Sequence, residues 1–98
     1  MIDQVTLFLE NKKGRLASAL SVLAKAEINL YTLTIAETND YGIVRMIVDQ
    51  PDRAVEALKE SKFQAHLTPV VIVKIENKVG ATIDLLNALE NHNINIEY

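Results

Sequence analysis

Two short stretches of the chain carry residue types suited to holding a small anion: Glu10-Asn11-Lys12-Lys13-Gly14 and Glu76-Asn77-Lys78-Val79-Gly80. Each ends in glycine and leads directly into a helical pattern. Glycine lets backbone approach a ligand closely, and the unpaired N–H groups of a first helical turn favour a carboxylate or phosphate. The same residues also suit a plain structural role, in which Asn11 and Asn77 cap the helices and Gly14 and Gly80 only permit the turn. Asn29 and Asn95 stand out for another reason. Each lies between two apolar residues at the start of a strand, where asparagine is disfavoured and a polar amide needs a partner.

Catalytic chemistry is harder to assemble. His66 and His92 are the only histidines, and neither has a carboxylate or a second histidine at the helical or strand spacing of a metal site. His66 reads as a half-exposed edge-strand residue and His92 as a cation at the negative end of a helix. Glu10 and Glu76 read as solvated strand-end charges, since carboxylates must be buried or paired to be tuned for acid/base work. The absence of cysteine excludes thiolate zinc sites, iron–sulfur clusters and cysteine nucleophiles, and makes the cytoplasm the expected compartment. No catalytic residue, metal or cofactor is expected.

The bulk properties narrow the partners. A chain of 98 residues with 49% hydrophobic and 23% charged side chains is a globular composition rather than a disordered one. A net charge of −3 offers no cationic footprint for phosphate backbones, so nucleic acid is not an expected partner. No apolar run reaches the length of a membrane span, and Met1-Ile2-Asp3-Gln4 has no basic region preceding an apolar one, so neither export nor membrane insertion is expected.

The elements that must position the two loops repeat with them. Leu20 and Leu23 correspond to Leu86 and Leu89, and Ile28-Asn29-Leu30 to Ile94-Asn95-Ile96, so the chain contains a duplicated unit. In the first copy, residues 5–10 alternate as a strand, and residues 15–26 place Leu16, Ala19, Leu20 and Leu23 on one helical stripe. Residues 28–37 form a second strand whose apolar parity changes between Leu30 and Leu33, which predicts a bulge near Tyr31-Thr32. A hairpin turn through Thr38-Asn39-Asp40-Tyr41-Gly42 leads to a third strand, 43–48. Pro51 opens a second helix, with Asp49 as its expected cap and Val55 and Leu58 as its buried stripe. Residues 63–68 close the unit, Pro69 is expected to interrupt the pairing, and residues 70–76 begin the second copy.

The order βαββαβ predicts an α+β, ferredoxin-like sandwich: an antiparallel sheet of order 4-1-3-2 with both helices on one face, because each βαβ crossover is right-handed. Residues 1–69 make a whole module, and residues 70–98 the first part (βαβ) of a second. That second copy lacks a third strand. The expectation is a fragment of a longer tandem protein of roughly 140 residues, the alternative being completion by another chain. Most of Phe8, Tyr31, Ile43, Ile47 and Ile72 fall on the parity away from the helices, which predicts an apolar face suited to self-association as a homodimer or higher oligomer.

With these residues in place, the chain resembles the ACT domain family, small βαββαβ modules that bind amino acids and regulate enzymes or transcription. The likeness lies in Glu10-Asn11-Lys12-Lys13-Gly14-Arg15-Leu16 and in Ile28-Asn29-Leu30. It extends to stand-alone tandem proteins of two such modules and no enzyme. The resemblance implies a non-catalytic amino-acid sensor whose ligand lies between the first loop of one module and the start of the second strand of the other. On that pattern Asn11, Lys13, Gly14 and Arg15 would face Asn95, and Asn77, Val79 and Gly80 would face Asn29. The family's loop proline is replaced by Lys13 and Val79, and the glycine often found before the second strand by Glu27 and Asn93. A left-handed residue at Glu27 would cost energy. A ligand-free assembly module is the alternative function.

Overall fold

A computed structural model describes residues 1–10, 12–37 and 40–92. Its elements are β1 (Ile2–Glu10), α1 (Arg15–Lys25), β2 (Leu30–Glu37), β3 (Tyr41–Val48), α2 (Pro51–Glu60), β4 (Gln64–Val70) and α3 (Ala81–Asn91). The four strands form one antiparallel sheet of order β2-β3-β1-β4, the expected order 4-1-3-2 viewed from the other edge. β1 is paired on both sides, with Val5 opposite Met46 of β3 and Leu67 of β4.

The pleat explains the core. Val5, Leu7 and Leu9 share one face of β1 and are almost wholly buried, meeting Val44, Met46 and Val48 of β3 and Ala65 of β4 in the same cluster. Ala19 and Leu23 of α1 and Ala54, Val55 and Leu58 of α2 complete it. Burying a side chain of the size of Leu7, Met46 or Leu58 contributes about 1.5–3 kcal/mol.

Both helices end in the same way. Ile28 N–H donates to the Leu23 carbonyl (3.0 Å) and Glu27 N–H to that of Ala24 (3.0 Å); Phe63 N–H donates to Leu58 (2.9 Å) and Lys62 N–H to Lys59 (2.9 Å). These are paired Schellman closures, which need a left-handed residue just past the helix. Glu27 (φ 59°) and Lys62 (φ 67°) supply it without being glycine. The apolar residues that follow, Ile28 and Phe63, then turn into the core.

The expected bulge in β2 is present as a register shift between Leu30 and Thr32. Several other expectations are corrected. Pro69 does not interrupt pairing; β4 continues through it to Val70, with Pro69 opposite Asp3, because β4 is an edge strand, where a missing N–H is tolerated. Asp49 does not cap α2. The cap position is Gln50, with no side-chain cap bond, and the Asp49 carboxylate instead accepts from the Asn29 backbone N–H (2.9 Å). Gln50 and the Ala26 carbonyl are both held by Arg53, at 2.5 and 2.9 Å. β3 begins two residues earlier than expected, at Tyr41, because Glu10 and Leu9 extend the β1 ladder to Tyr41 and Gly42.

The expected apolar outer face holds in part: Tyr31 and Ile72 are exposed. Phe8, Ile43 and Ile47 are half-buried, and they are interspersed with polar side chains: Thr6 opposite His66 and Arg45, and Gln4 opposite Thr68. Gln4 and Thr6 are themselves buried, bonded to one another (3.5 Å) and, through Thr6, to Thr68 (2.9 Å). The exposed apolar side chains of the sheet also include Leu33 and Ile35, on the helix side of edge strand β2.

The second copy is described in part. Residues 71–76 join no ladder among the described residues, so the expected strand 70–76 is not observed and Val70 belongs to β4. The equivalent strand of the first copy is held by β3 and β4, and no described residue plays either part here. α3 has no buried residue. No helix of the described residues is long and apolar enough to cross a membrane.

Two outcomes follow from this architecture. In hydrogen exchange, amides of β1 and β3 should outlast those of α3 by orders of magnitude, since only the former are paired within the core; equal protection would contradict the packing described. Glu27→Gly should raise unfolding free energy by about 0.5–1 kcal/mol in denaturant titration, because removing a left-handed penalty of about 1–2 kcal/mol outweighs glycine's greater freedom in the unfolded chain.

Candidate functional site

The end of β1 delivers the first loop, and the second loop repeats its geometry. Lys12 N–H donates to the Glu10 carbonyl (2.7 Å), Arg15 N–H to Lys12 (3.3 Å) and Ser18 N–H to Gly14 (2.9 Å). In the copy, Lys78 N–H donates to Glu76 (2.9 Å), Ala81 N–H to Lys78 (3.3 Å) and Asp84 N–H to Gly80 (3.0 Å). Gly14 and Gly80 are the cap residues of α1 and α3, at φ 85° and 86°, a region that only glycine occupies without strain. No atom lies within 4 Å of where a Cβ would stand on either, so both turns present backbone to open space. Neither helix has a side-chain cap bond. Asn77 is thus not the cap of α3, because the chain is already turned by Gly80.

Each loop carries an ion pair across itself, Lys12–Glu10 at 2.7 Å and Lys78–Glu76 at 3.1 Å. The Lys12 hydrogen bond and charge, with a further contribution from Arg15, hold the Glu10 carboxyl below the usual carboxylate range. Glu10 is therefore a fixed anion at neutral pH, not a proton donor.

Beside the first loop lies a cleft of about 360 Å³ between Gly14, Arg15 and Leu16 on one side and Leu9, Ile35, Gly42 and Val44 on the other. A smaller cleft of about 250 Å³ lies beside the second loop, with Lys78, Ala81 and Asp84 in its wall. Arg15, Gly14 and Lys12 thus come together, while Lys13 is an exposed turn residue and Val79 is fully exposed. Asn77 is exposed in the approach to Gly80. Asn11 and Asn95 lie outside the described residues.

Asn29 is not brought to the loop of its own unit. Leu30 pairs with Val48, whereas Glu37 pairs with Gly42 and Gly42 with Leu9, so Asn29 stands at the opposite end of β2, on the order of 20 Å away. Its backbone is clasped by Asp49: N–H to carboxylate at 2.9 Å, and Asp49 N–H to the Asn29 carbonyl at 3.1 Å. Its residue is exposed, so the amide is solvated and needs no protein partner, contrary to the expectation from sequence.

The cleft walls Ile35 and Gly42 escaped the sequence reading. Their only signal is the strand register, which sets Gly42 opposite both Leu9 and Glu37. Arg15 has a second role that sequence does not announce: its guanidinium carbon lies 4.3 Å from the centre of the Phe63 ring, and its buried Nε has no hydrogen-bond partner among the described residues.

Comparison with known proteins agrees with this architecture. No curated protein matches the chain. Among solved structures, protein BT0572 from Bacteroides thetaiotaomicron is 46% identical with a TM-score of 0.93, over 98% of this chain and 67% of that one. The regulatory subunit of aspartate kinase from Thermus thermophilus, in its ligand-free form, has a TM-score of 0.70 at 20% identity, over 97% of this chain and 72% of that one. The latter likeness is one of fold. A family model described as an ACT domain pair matches residues 1–98, and the chain belongs to that family.

Proposed function

We propose that the chain is a non-catalytic regulatory module that binds a free amino acid or similar small carboxylate beside Gly14, with a second site beside Gly80. Residues 1–70, which end with β4, form one module, and the residues that follow belong to the next. The observation that carries this reading is the pair of left-handed glycines, each facing open space at a helix N-terminus next to a cleft. The ligand anion is received by backbone N–H groups near Gly14, with Lys13 and Arg15 adding positive charge, and near Gly80 and Val79 in the copy.

The fold also suggests how Asn29 participates, and the sequence repeat assigns Asn95 the same part. β2 is an edge strand, and its start and its loop end lie at opposite ends of the sheet. If two modules pair antiparallel along β2, the start of one β2 comes beside the β1–α1 loop of the other. Asn29 then reaches the site of Asn77 and Gly80, and Asn95 the site of Asn11 and Gly14. The exposed Leu33 and Ile35 on that edge are the apolar surface such pairing covers. A regulatory subunit is among the proteins sharing the fold.

Calorimetric titration with the twenty amino acids should find one that binds. Gly14→Ala should cost about 1 kcal/mol of stability through its left-handed backbone and weaken binding by narrowing backbone access. Asn29→Ala should leave stability nearly unchanged, because its side chain is solvated, and weaken the site it shares with Asn77 roughly tenfold. No binding by any amino acid would reject the sensor.

The second reading, a ligand-free assembly module, is favoured by the exposed apolar residues Leu33, Ile35, Val71, Ile72 and Val73. Sedimentation should show association of the native chain and its loss in Ile35→Lys; a native monomer at micromolar concentration would contradict the assembly module.

A further inference from the structure

Behind Arg15, on the side away from Gly14, a separate cleft of about 420 Å³ opens where β1 leaves the sheet and β4 begins, walled by Phe8, Glu10, Arg15, Tyr41, Lys62 and Gln64. Three features of the fold assemble it. Phe8 is opposite Gln64, and Glu10 opposite Tyr41, so β1 runs past the start of β4 and leaves a recess. The Schellman closure of α2 turns Phe63 into the core and holds Lys62 at the rim in a left-handed conformation. Phe63 in turn carries the Arg15 guanidinium on its ring face.

The charges in this recess are specific. Glu10 is committed to Lys12 by a 2.7 Å ion pair. With Glu10 answered by Lys12, Arg15 and Lys62 leave positive charge for an anionic ligand, and the apolar ring walls, not the charge count, favour an aromatic carboxylate over phosphate. A guanidinium stacked on a ring keeps its N–H donors in one plane, directed sideways, the geometry that receives a carboxylate. The buried Nε of Arg15 has no partner among the described residues; a ligand in the cleft meets the outer guanidinium N–H groups rather than this one. The other walls are the rings of Phe8 and Tyr41, which favour a flat apolar body.

We propose that this cleft is a second ligand site, taking a small aromatic monocarboxylate whose carboxylate lies between Arg15 and Lys62 and whose ring lies against Phe8 and Tyr41. It is separate from the amino-acid site proposed beside Gly14, with which it shares only the wall formed by Leu9, Glu10 and Arg15. In the second copy the position equivalent to Arg15 is Ala81.

Benzoate, benzamide and inorganic phosphate are suitable probes in amide-resolved NMR titration of the whole chain. Benzoate should give saturable shifts at Arg15, Lys62 and Gln64, with benzamide and phosphate roughly tenfold weaker or more. Lys62→Gly is the informative variant, because glycine suits φ 67° and the change removes the ammonium without straining the fold. It should weaken benzoate roughly tenfold while the thermal midpoint holds or rises. Gly14→Ala should leave benzoate binding unchanged, whether or not any amino acid binds beside Gly14. The proposal is overturned if benzoate shifts centre on Gly14, if Gly14→Ala abolishes them, if Lys62→Gly binds benzoate as the native chain does, or if benzamide or phosphate binds as well as benzoate.

Discussion

Everything in this fold leans on the position of β1 between two partners. A strand hydrogen-bonded on both edges cannot shift register by one residue without turning Val5, Leu7 and Leu9 out of the core and Gln4, Thr6 and Phe8 into it. Right-handed crossovers then force β2 to return beyond β3 and β4 to return on the other side, with α1 and α2 on the same face. The loop after Glu10 consequently emerges at the end of the sheet, beneath the start of α1 and within reach of β3 and of the turn into β4. Both clefts around Arg15 are products of that one placement, and they share Leu9, Glu10 and Arg15 because the chain passes between them there.

Two left-handed residues fix the rest. Glu27 and Lys62 each close a helix so that the next apolar side chain enters the core. The strain at Glu27 is tolerated because Ile28 is buried directly after it, and because Asp49 and Arg53 secure the same corner through Asn29 and Ala26. Two segments distant in sequence, residues 26–29 and 49–53, converge on a turn that glycine would have made alone. At Lys62 the corresponding strain sets a cation at the rim of a cleft.

Much of this was legible in the residues. Alternation located β1, helical spacing located α1, and the parity change between Leu30 and Leu33 located the bulge, because each is a local consequence of which side chains must face inward. The left-handed demand at Glu27 was legible from the sequence that normally stands there. Other features were not, because they depend on what lies alongside. Pro69 reads as a break until β4 is known to be an edge. Asp49 reads as a helix cap until the start of β2 is known to pass within hydrogen-bond distance. The cleft walls Tyr41, Lys62 and Gln64 come from three separate elements and meet only through register and a helix-end turn, so no motif within the chain announces them.

The duplicated loops separate what local sequence dictates from what packing adds. Lys13 is replaced by Val79, Arg15 by Ala81 and Ser18 by Asp84, yet the glycine dihedrals, the three backbone hydrogen bonds and the lysine–glutamate ion pair all recur. The turn therefore belongs to the Glu-Asn-Lys-x-Gly segment itself and not to the core, since α3 buries none of its residues while α1 buries two. Electrostatics does not recur. The first turn of α1 holds no acidic residue and begins with Arg15, whereas that of α3 carries Asp84 in the wall of its cleft and has no arginine. A carboxylate near a helix N-terminus competes for the positive end of the dipole that an anionic ligand would use. The two loops thus offer the same backbone in different surroundings of charge: the walls beside Gly14 set Lys12 and Arg15 against Glu10 alone, whereas those beside Gly80 balance Lys74 and Lys78 against Glu76 and Asp84.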